Sequence, residues 1–477
     1  MNIMKKIIML FLVMMLLVSC SDTSGGAVDT TADTALTEET TTVETEGPGT
    51  YKHNLENDYG GAEFTIYGFE NINVHSESIS KEENGDTLND ALYVRTMLIE
   101  ETFNVKINEI LNGENEGAVK NAVLSGDSAY DLASVRCTAA LTFFKENLII
   151  PFSDVDTIDL TRPYWEQVTN ESLTIGNVAY IAVGSYNIPN YDLAYALLFN
   201  KDMMKSNSLG DIYSTVSDGK WTMDEMSALM KQVVSDINGD GEMTIDDQWG
   251  FTSHPKQVLA NFWIGAGERS IKKDSSDMPY IAMNEERFIS VIEKAFATTL
   301  DDNKSFIMDK PADVPDECIK LFSEGRSLFM DVSFFYIERM RNTDTEFGII
   351  PYPKYDEAQE NYYSRISYYI PTVIPSSVTD PEMSGAILEA LNCESANIVL
   401  PQYFEIMLKT KYSRDEESAA MLDLIFARRI IDIGDTTLCD VIRDGFIFQM
   451  YKSGDRDLTS KVDANEARIN DRLNIFK

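Results

Sequence analysis

The stretch that most constrains the fold runs from Glu63 to Val135, where two kinds of hydrophobic period take turns. Glu63-Phe64-Thr65-Ile66-Tyr67 alternates as a half-buried strand does. Thr87-Leu88-Asn89-Asp90 resembles a helix cap ahead of an apolar-periodic run to Phe103, after which Val105, Ile107 and Ile110 suggest another strand. A second helix near Gly117–Leu124 and a strand over Asp131–Val135 complete a β-α-β-α-β order. Strands that alternate with helices imply a mostly parallel sheet covered by those helices, and so an α/β fold. At 477 residues the chain exceeds what one hydrophobic core usually serves, which predicts two domains or lobes, and an apolar content of 44% is ample for both.

Further along, Lys220-Trp221-Thr222-Met223-Asp224-Glu225 holds a capping box, Thr222 with Glu225, and Trp221 can staple onto Met226; a helix is predicted from Met223 to about Ser235. Helical stretches at Phe288–Leu300, Pro315–Glu324, Glu382–Leu391 and Glu417–Ile431 then alternate with short strands such as Ser327–Met330 and Phe347–Ile350. No internal repeat of solenoid length is visible.

The opening MNIMKKIIMLFLVMMLLVSC carries two lysines and an apolar run too short to span a membrane, and ends in Leu17-Val18-Ser19-Cys20. It reads as a signal peptide over residues 1–19 that looks like a bacterial lipobox, with cleavage before Cys20 and a diacylglyceryl thioether on its sulfur. That places the protein on the outer face of the membrane, held by a lipid without a spanning helix. From Ser21 to Pro48 the chain is built from small, acidic and hydroxyl residues with no aromatic and no basic one, so residues 20–50 are expected to form a disordered Thr/Glu-rich stalk. The formal charge of −38, lowered further once Lys5 and Lys6 leave with the signal, argues against nucleic acid and anionic lipid headgroups as partners. Cys137, Cys318, Cys393 and Cys439 are scattered with no CxxC pair, and read as buried thiols.

The run Asp236-Ile237-Asn238-Gly239-Asp240-Gly241-Glu242-Met243-Thr244-Ile245-Asp246-Asp247 places Asp236, Asn238 and Asp240 at the first, third and fifth positions of a calcium-loop spacing. Gly241 falls at the sharp turn, the Glu242 carbonyl at seven, Thr244 at nine and Asp247 at twelve. Alternate side chains in such a loop converge on one hard cation. Asp247 is one methylene shorter than the usual glutamate, and Gln248-Trp249-Gly250-Phe251 does not look like an exiting helix, so the match is closer to the dockerin-type variant. A structural calcium is the expected cofactor; the alternative is a solvated turn that binds nothing.

Enzyme chemistry finds little purchase. His53, His75 and His254 are isolated, and no HExxH, GxSxG, P-loop or GxGxxG appears. A two-carboxylate glycosidase is the main enzyme rival, because its acids need not be close in sequence. Aromatic residues cluster beside polar ones at Ser185–Asp192, Asn261–Trp263, Ser333–Tyr336 and Tyr362–Tyr369. Aromatic faces stack on the C–H surfaces of sugars while Asp, Asn and Arg bond hydroxyls, so such clusters suit carbohydrate capture.

Taken with Leu17–Cys20, the segments Leu198-Phe199-Asn200-Lys201-Asp202, Gly219-Lys220-Trp221-Thr222, Asp236–Gly250, Gly325-Arg326-Ser327-Leu328-Phe329 and Phe347-Gly348-Ile349-Ile350-Pro351-Tyr352-Pro353-Lys354 give the chain beyond Tyr51 a definite likeness. It resembles an extracellular solute-binding lipoprotein of a bacterial ABC importer, of the family 1, maltose-binding-like, carbohydrate type. That resemblance implies a two-lobed periplasmic-binding-protein-like fold of type II, closing on its ligand like a clamp. It implies crossings near Asn187–Asp192, Arg365–Tyr369 and Tyr412–Glu416, an N-lobe from 51–188 plus 368–412, and a C-lobe from 192–365 plus 416–477. By the same likeness, Phe69, Glu70, Arg136 and Thr138 in the first lobe, Tyr186, Asn187 and Asp192 at the hinge, and His254, Lys256, Trp263, Asp331, Phe334 and Tyr368 on the second side bind ligand. Aromatics would supply stacking faces and polar groups would orient hydroxyls or a ligand charge. Phe334 stands where a relative would often stack Trp. The implied function is a monomeric, non-enzymatic receptor that delivers a small oligosaccharide to the transmembrane subunits of an ABC permease. Alternatives are the same fold taking a peptide, an amino sugar or another polar solute, and a secreted polysaccharide-degrading enzyme.

Overall fold

The computed structural model describes residues 49–113, 116–309, 315–340, 343–409 and 416–476. The signal segment, Cys20, the stalk to residue 48 and most of the third expected crossing, 410–415, lie outside the described residues. In chain order the strands are β1 (Ala62–Phe69), β2 (Val105–Asn112), β3 (Leu132–Ser134), β4 (Ile149–Ile150), β5 (Tyr195–Asn200), β6 (Trp249–Ser253) and β7 (Ile271–Lys273). They continue with β8 (Pro279–Ile281), β9 (Ser305–Ile307), β10 (Ser327–Ser333), β11 (Phe347–Ile350), β12 (Ser364–Arg365), β13 (Thr372–Pro375) and β14 (Arg429–Ile430).

Two five-stranded sheets result, ordered β2-β1-β3-β13-β4 and β11-β5-β10-β6-β9. β1 runs parallel to β2 and β3, and β6 parallel to β10 and β9, as the alternation with helices requires. Each sheet also contains a strand that runs the other way: β13 against β3 and β4, and β5 against β10 and β11. These are the strands the chain makes on arriving from the opposite sheet, so they enter where the parallel strands end. Helices cover both sheets, and each sheet with its helices forms one lobe.

The first lobe is centred on Phe64, Ile66, Phe103, Ile107, Leu132 and Ile374, the second on Leu197, Phe199, Trp221, Phe251, Trp263 and Phe329. A third cluster joins Leu88 and Leu92 of the Thr87–Phe103 helix to Ile188, Tyr191, Leu198 and Met330 across the first crossing. Local detail refines the expected boundaries. The Thr87–Phe103 helix is capped by Asp86, whose carboxylate accepts from the Leu88 and Asn89 N–H groups at 3.1 and 3.0 Å; a carboxylate there also favours the positive end of the helix. Thr222 caps the next predicted helix, accepting from Glu225 N–H at 3.3 Å, and Trp221 is fully buried with its indole N–H on the Pro351 carbonyl at 2.9 Å. That helix ends at Lys231 and not near Ser235, because Ser235 exchanges both backbone hydrogen bonds with Gln248 at 3.0 Å and so closes the acidic loop. Cys137, Cys318 and Cys393 are buried free thiols, and Cys439 is partly buried. Among the described residues no helix is long and apolar enough to cross a membrane.

Candidate functional site

In open sheets of this kind, ligands sit beyond the carboxyl ends of the parallel strands, where loops leave for the helices. β1 delivers Phe69 and Glu70 there, and β3 delivers Arg136, which sits at the N-cap of the Cys137–Lys145 helix. From the second sheet, β6 leads into His254 and Lys256, and β10 ends at Asp331 and Ser333 before the Phe334–Arg339 helix.

The predicted residues divide into two groups. Several are fixed inside the protein. Trp263 is fully buried, packs on Phe288 with ring centres 5.7 Å apart, and donates its indole N–H to Asp432 at 2.9 Å. Phe334 is fully buried against Phe426 at 4.6 Å. Neither ring has a free face, so the expected stacking platforms are core packing instead; a ring surrounded by apolar neighbours gains more from their contacts than from the cleft. Tyr186 is buried as well, donating to Ser78 Oγ at 2.7 Å beneath the Arg95 guanidinium. Asn187 donates to the Ile370 carbonyl at 3.1 Å and Thr372 Oγ1 at 3.0 Å, which staples the first crossing to the second. Asp192, fully buried, accepts from His75 N–H at 2.7 Å and from Tyr403 OH at 3.0 Å. Asp331 takes three donors on one oxygen, Ser253 Oγ at 2.7 Å, Asn261 Nδ2 at 2.9 Å and Tyr352 OH at 2.9 Å; burial pushes its carboxyl up to about 6 against those bonds. These four polar groups position backbone and neighbours, and have little left to offer a solute.

The other predicted residues range from exposed to nearly covered. Glu70 is exposed, while Phe69 is nearly covered by Val74 and Ile370 and borders a cavity of about 20 Å³ with Ser78, Glu109 and Ser134. Arg136 forms a two-point pair with Glu116, Nε to Oε1 at 2.7 Å and Nη2 to Oε2 at 2.8 Å. Burial works against the Glu116 charge, but the Arg136 hydrogen bonds outweigh it and hold the carboxyl below its ordinary range. Tyr368 lies beside Thr138 and Cys137, and burial raises its phenol strongly. Next to Tyr368, the Ser367 carbonyl accepts from Arg443 at 3.3 Å. Arg443 Nε meets Asp444 at 3.0 Å, and Asp444 meets Lys256 Nζ at 3.3 Å. His254 turns its Nδ1 to the Lys256 N–H at 3.2 Å and is almost wholly covered. A row of partly exposed polar groups runs from Arg136 and Thr138 in the first lobe, past Tyr368 on the second crossing, to Arg443, Asp444 and Lys256 in the second lobe. The charged head groups of Arg136, Arg443, Asp444 and Lys256 are each held by a neighbour yet keep bonding capacity, the arrangement that can trade water for sugar hydroxyls at little ordering cost.

Sequence reasoning missed Arg443 and Asp444, together with the Arg365–Asp435 pair beneath them. The run Asp432-Ile433-Gly434-Asp435 was the available signal: acids placed in an apolar stretch need partners.

The acidic loop is held by its own backbone. Asp236 accepts from Gly239 and Gly241 N–H at 2.7 and 2.8 Å, Asn238 from Asp240 N–H at 2.8 Å, and Asp240 from Glu242 N–H at 2.8 Å. Asp247 is fully buried and accepts from Ile237 N–H at 3.1 Å and Thr244 N–H at 2.7 Å. Gly241 has φ +85°, the left-handed turn the spacing calls for. Among the described residues no three His, Cys, Asp or Glu side chains are grouped to hold a metal ion, so the donor set as it stands does not form a cage.

No protein-family model matches the sequence. No curated protein matches it either. Solved structures do. A cyclo/maltodextrin-binding protein complexed with maltotetraose is 11% identical, with 87% of this chain and 96% of that one covered and a TM-score of 0.56. An ABC substrate-binding protein from Listeria monocytogenes in complex with cycloalternan is 13% identical over 87% of this chain and 99% of its own, with a TM-score of 0.52. The GacH receptor of Streptomyces glaucescens, solved unliganded and with acarbose, is 13% identical over 87% of this chain and 100% of its own, with a TM-score of 0.54. The chain thus has the two-lobed α/β fold of the maltodextrin-type substrate-binding proteins.

Proposed function

We propose that this chain is the non-catalytic solute receptor of an ABC importer, taking a small oligosaccharide between its lobes and presenting the closed complex to the permease. The observation that carries this reading is the row of partly exposed polar groups that spans both lobes, Arg136 and Thr138 on one side and Arg443, Asp444 and Lys256 on the other. A solute bonded to both sides favours the state in which the lobes are close, which is a population shift and needs no chemistry. The similar proteins whose names include maltotetraose, cycloalternan and acarbose support carbohydrate as the solute class. The apolar leader ending in Leu17-Val18-Ser19-Cys20, followed by a stalk without aromatic or basic residues, supports a lipid anchor at Cys20 on the outer face of the membrane.

A melting screen against neutral oligosaccharides, amino acids and short peptides tests this. An oligosaccharide at a hundredfold excess over its Kd should stabilise the chain by about 2.7 kcal/mol, with no shorter products formed on incubation. Turnover to shorter products would replace the receptor by a polysaccharide-degrading enzyme, and stabilisation by peptides alone would replace the sugar.

We also propose calcium for the Asp236–Asp247 loop, on the strength of its one-three-five-seven-nine-twelve spacing and the left-handed Gly241. A carboxylate oxygen that accepts one backbone N–H keeps a lone pair for a cation, so binding requires the loop side chains to converge, not to give up those bonds. Chelation should then lower the melting temperature while leaving solute preference unchanged. Superimposable melting curves, with no calcium found by elemental analysis, would remove the cation from this account.

A further inference from the structure

We propose that the β7–β8 hairpin is a clasp between the lobes, and that the cleft opens only when Lys273 and Asp277 release the tip of the Ile175–Val178 turn. The hairpin belongs to the second lobe: Ile271 sits in that lobe's core, and the preceding Ser270 is tied to Asp432 through its N–H at 2.7 Å. The turn belongs to the first. Its flanking segment packs Phe152, Trp165 and Ala182 into the first core, and Ala182 pairs with Thr372 of β13.

The two tips interlock. Ile175 and Val178 bridge across Gly176 and Asn177, which have φ +59° and +62°, the backbone of a tight two-residue hairpin turn. Opposite them, Asp277 has φ +61° and offers its carbonyl to Gly176 N–H at 3.1 Å and its carboxylate to Asn177 N–H at 2.9 Å. Lys273 reaches over to Thr174, bonding its carbonyl at 3.1 Å and its Oγ1 at 2.8 Å, and to the Glu171 carbonyl. Lys273 and Asp277 are also paired with each other at 2.5 Å within the hairpin. Either tip therefore keeps its own shape when the two part, and separation costs the bonds between lobes together with the packing of Ile175 on the second core, without unfolding either one. Such a contact acts on the angle between the lobes and leaves their stability nearly alone.

The clasp continues into an apolar seam. A cavity of about 30 Å³ lies between Leu141 and Phe144 of the first lobe and Ile433 and Phe476 of the second, with the Phe144 and Phe476 rings 6.1 Å apart. Leu141 and Phe144 stand on the Cys137–Lys145 helix, whose first turn carries Thr138 and follows Arg136. Movement at the clasp is thus transmitted by one rigid helix to the polar row described above.

The test is small-angle scattering on the chain with Lys273→Met and Asp277→Ala together. Losing charge-assisted bonds on this scale should raise the open-to-closed ratio about tenfold or more. The expected readout is a larger radius of gyration and maximum dimension than wild type, with unchanged far-ultraviolet circular dichroism. Thr174→Val, which leaves the hairpin's charge pair intact and covers the case in which the double variant fails to fold, should move the dimensions in the same direction by less. Scattering curves of folded variants that superimpose on wild type would overturn the clasp. The outcome does not depend on which solute is bound, so it is separable from the fate of the receptor reading.

Discussion

Replacing Asp435 by Ala should destabilise the protein by about 3–5 kcal/mol, the cost of leaving a buried cation, Arg365, without its counter-ion. Asp435 is fully buried and receives Arg365 at both oxygens, Nε at 2.6 Å and Nη2 at 2.8 Å, with Arg443 a third contact at 3.3 Å. Arg365 completes its shell on Gln257 and Asn261, at 2.6 and 3.1 Å. Removal of the carboxylate therefore strands the Arg365 guanidinium in a region where water cannot follow, while Arg443 keeps Asp444 as its partner. The substitution should also reach the cleft. Arg365 lies on β12, which pairs with β14 beside the crossings, and Arg443 belongs to the polar row. A shift in the denaturant midpoint is the primary readout. The double substitution Arg365→Met with Asp435→Leu should be less harmful than Asp435→Ala, since it takes both charges away and leaves only Arg443 to be resolvated. Equal losses in the single and double variants would show that shape, and not unbalanced charge, sets the effect.

What the residue pattern revealed follows from which forces act locally. The β-α-β-α-β opening was legible because strand and helix periods each repeat within about ten residues, and the two-lobed outcome because one core does not serve so long a chain. The antiparallel β5 and β13 were not, since their direction is set by where the chain comes from and not by their own side chains. Asp86 and Thr87 are both suitable caps, and only the carboxylate's reach to two N–H groups decides between them. For the candidate site, the sequence carries the residue types but not which of them the fold buries. Arg136, Thr138, Tyr368 and Lys256 sit on the polar row, but Trp263 and Phe334 look the same in sequence whether a ring faces a cleft or a core. Asp432 decides the first case by capturing the Trp263 indole N–H from 169 residues away. The Phe426 ring decides the second. Both are long-range contacts, which no local window contains.

Asp331→Asn should stabilise the protein increasingly as the pH rises, gaining about 2 kcal/mol relative to wild type between pH 4.5 and pH 7.5. Burial raises the Asp331 carboxyl from 3.8 to about 6, with Ser253, Tyr352 and Asn261 bonding the charged form too weakly to prevent it. A group whose folded value lies above its unfolded value contributes stability that is fully present below about pH 4 and is lost as the pH climbs through about 6. At neutral pH the wild type thus carries an ionised carboxylate that folding disfavours. Asparagine keeps an oxygen to accept from the three donors and never ionises, so its stability curve lacks that loss. Comparing the two proteins at each pH cancels the contribution of the other acidic residues, which would dominate either curve alone. A stability difference between variant and wild type that stays flat from pH 4.5 to 7.5 would mean that Asp331 does not titrate in this range, and that Arg365 stabilises its charge far more than the geometry implies.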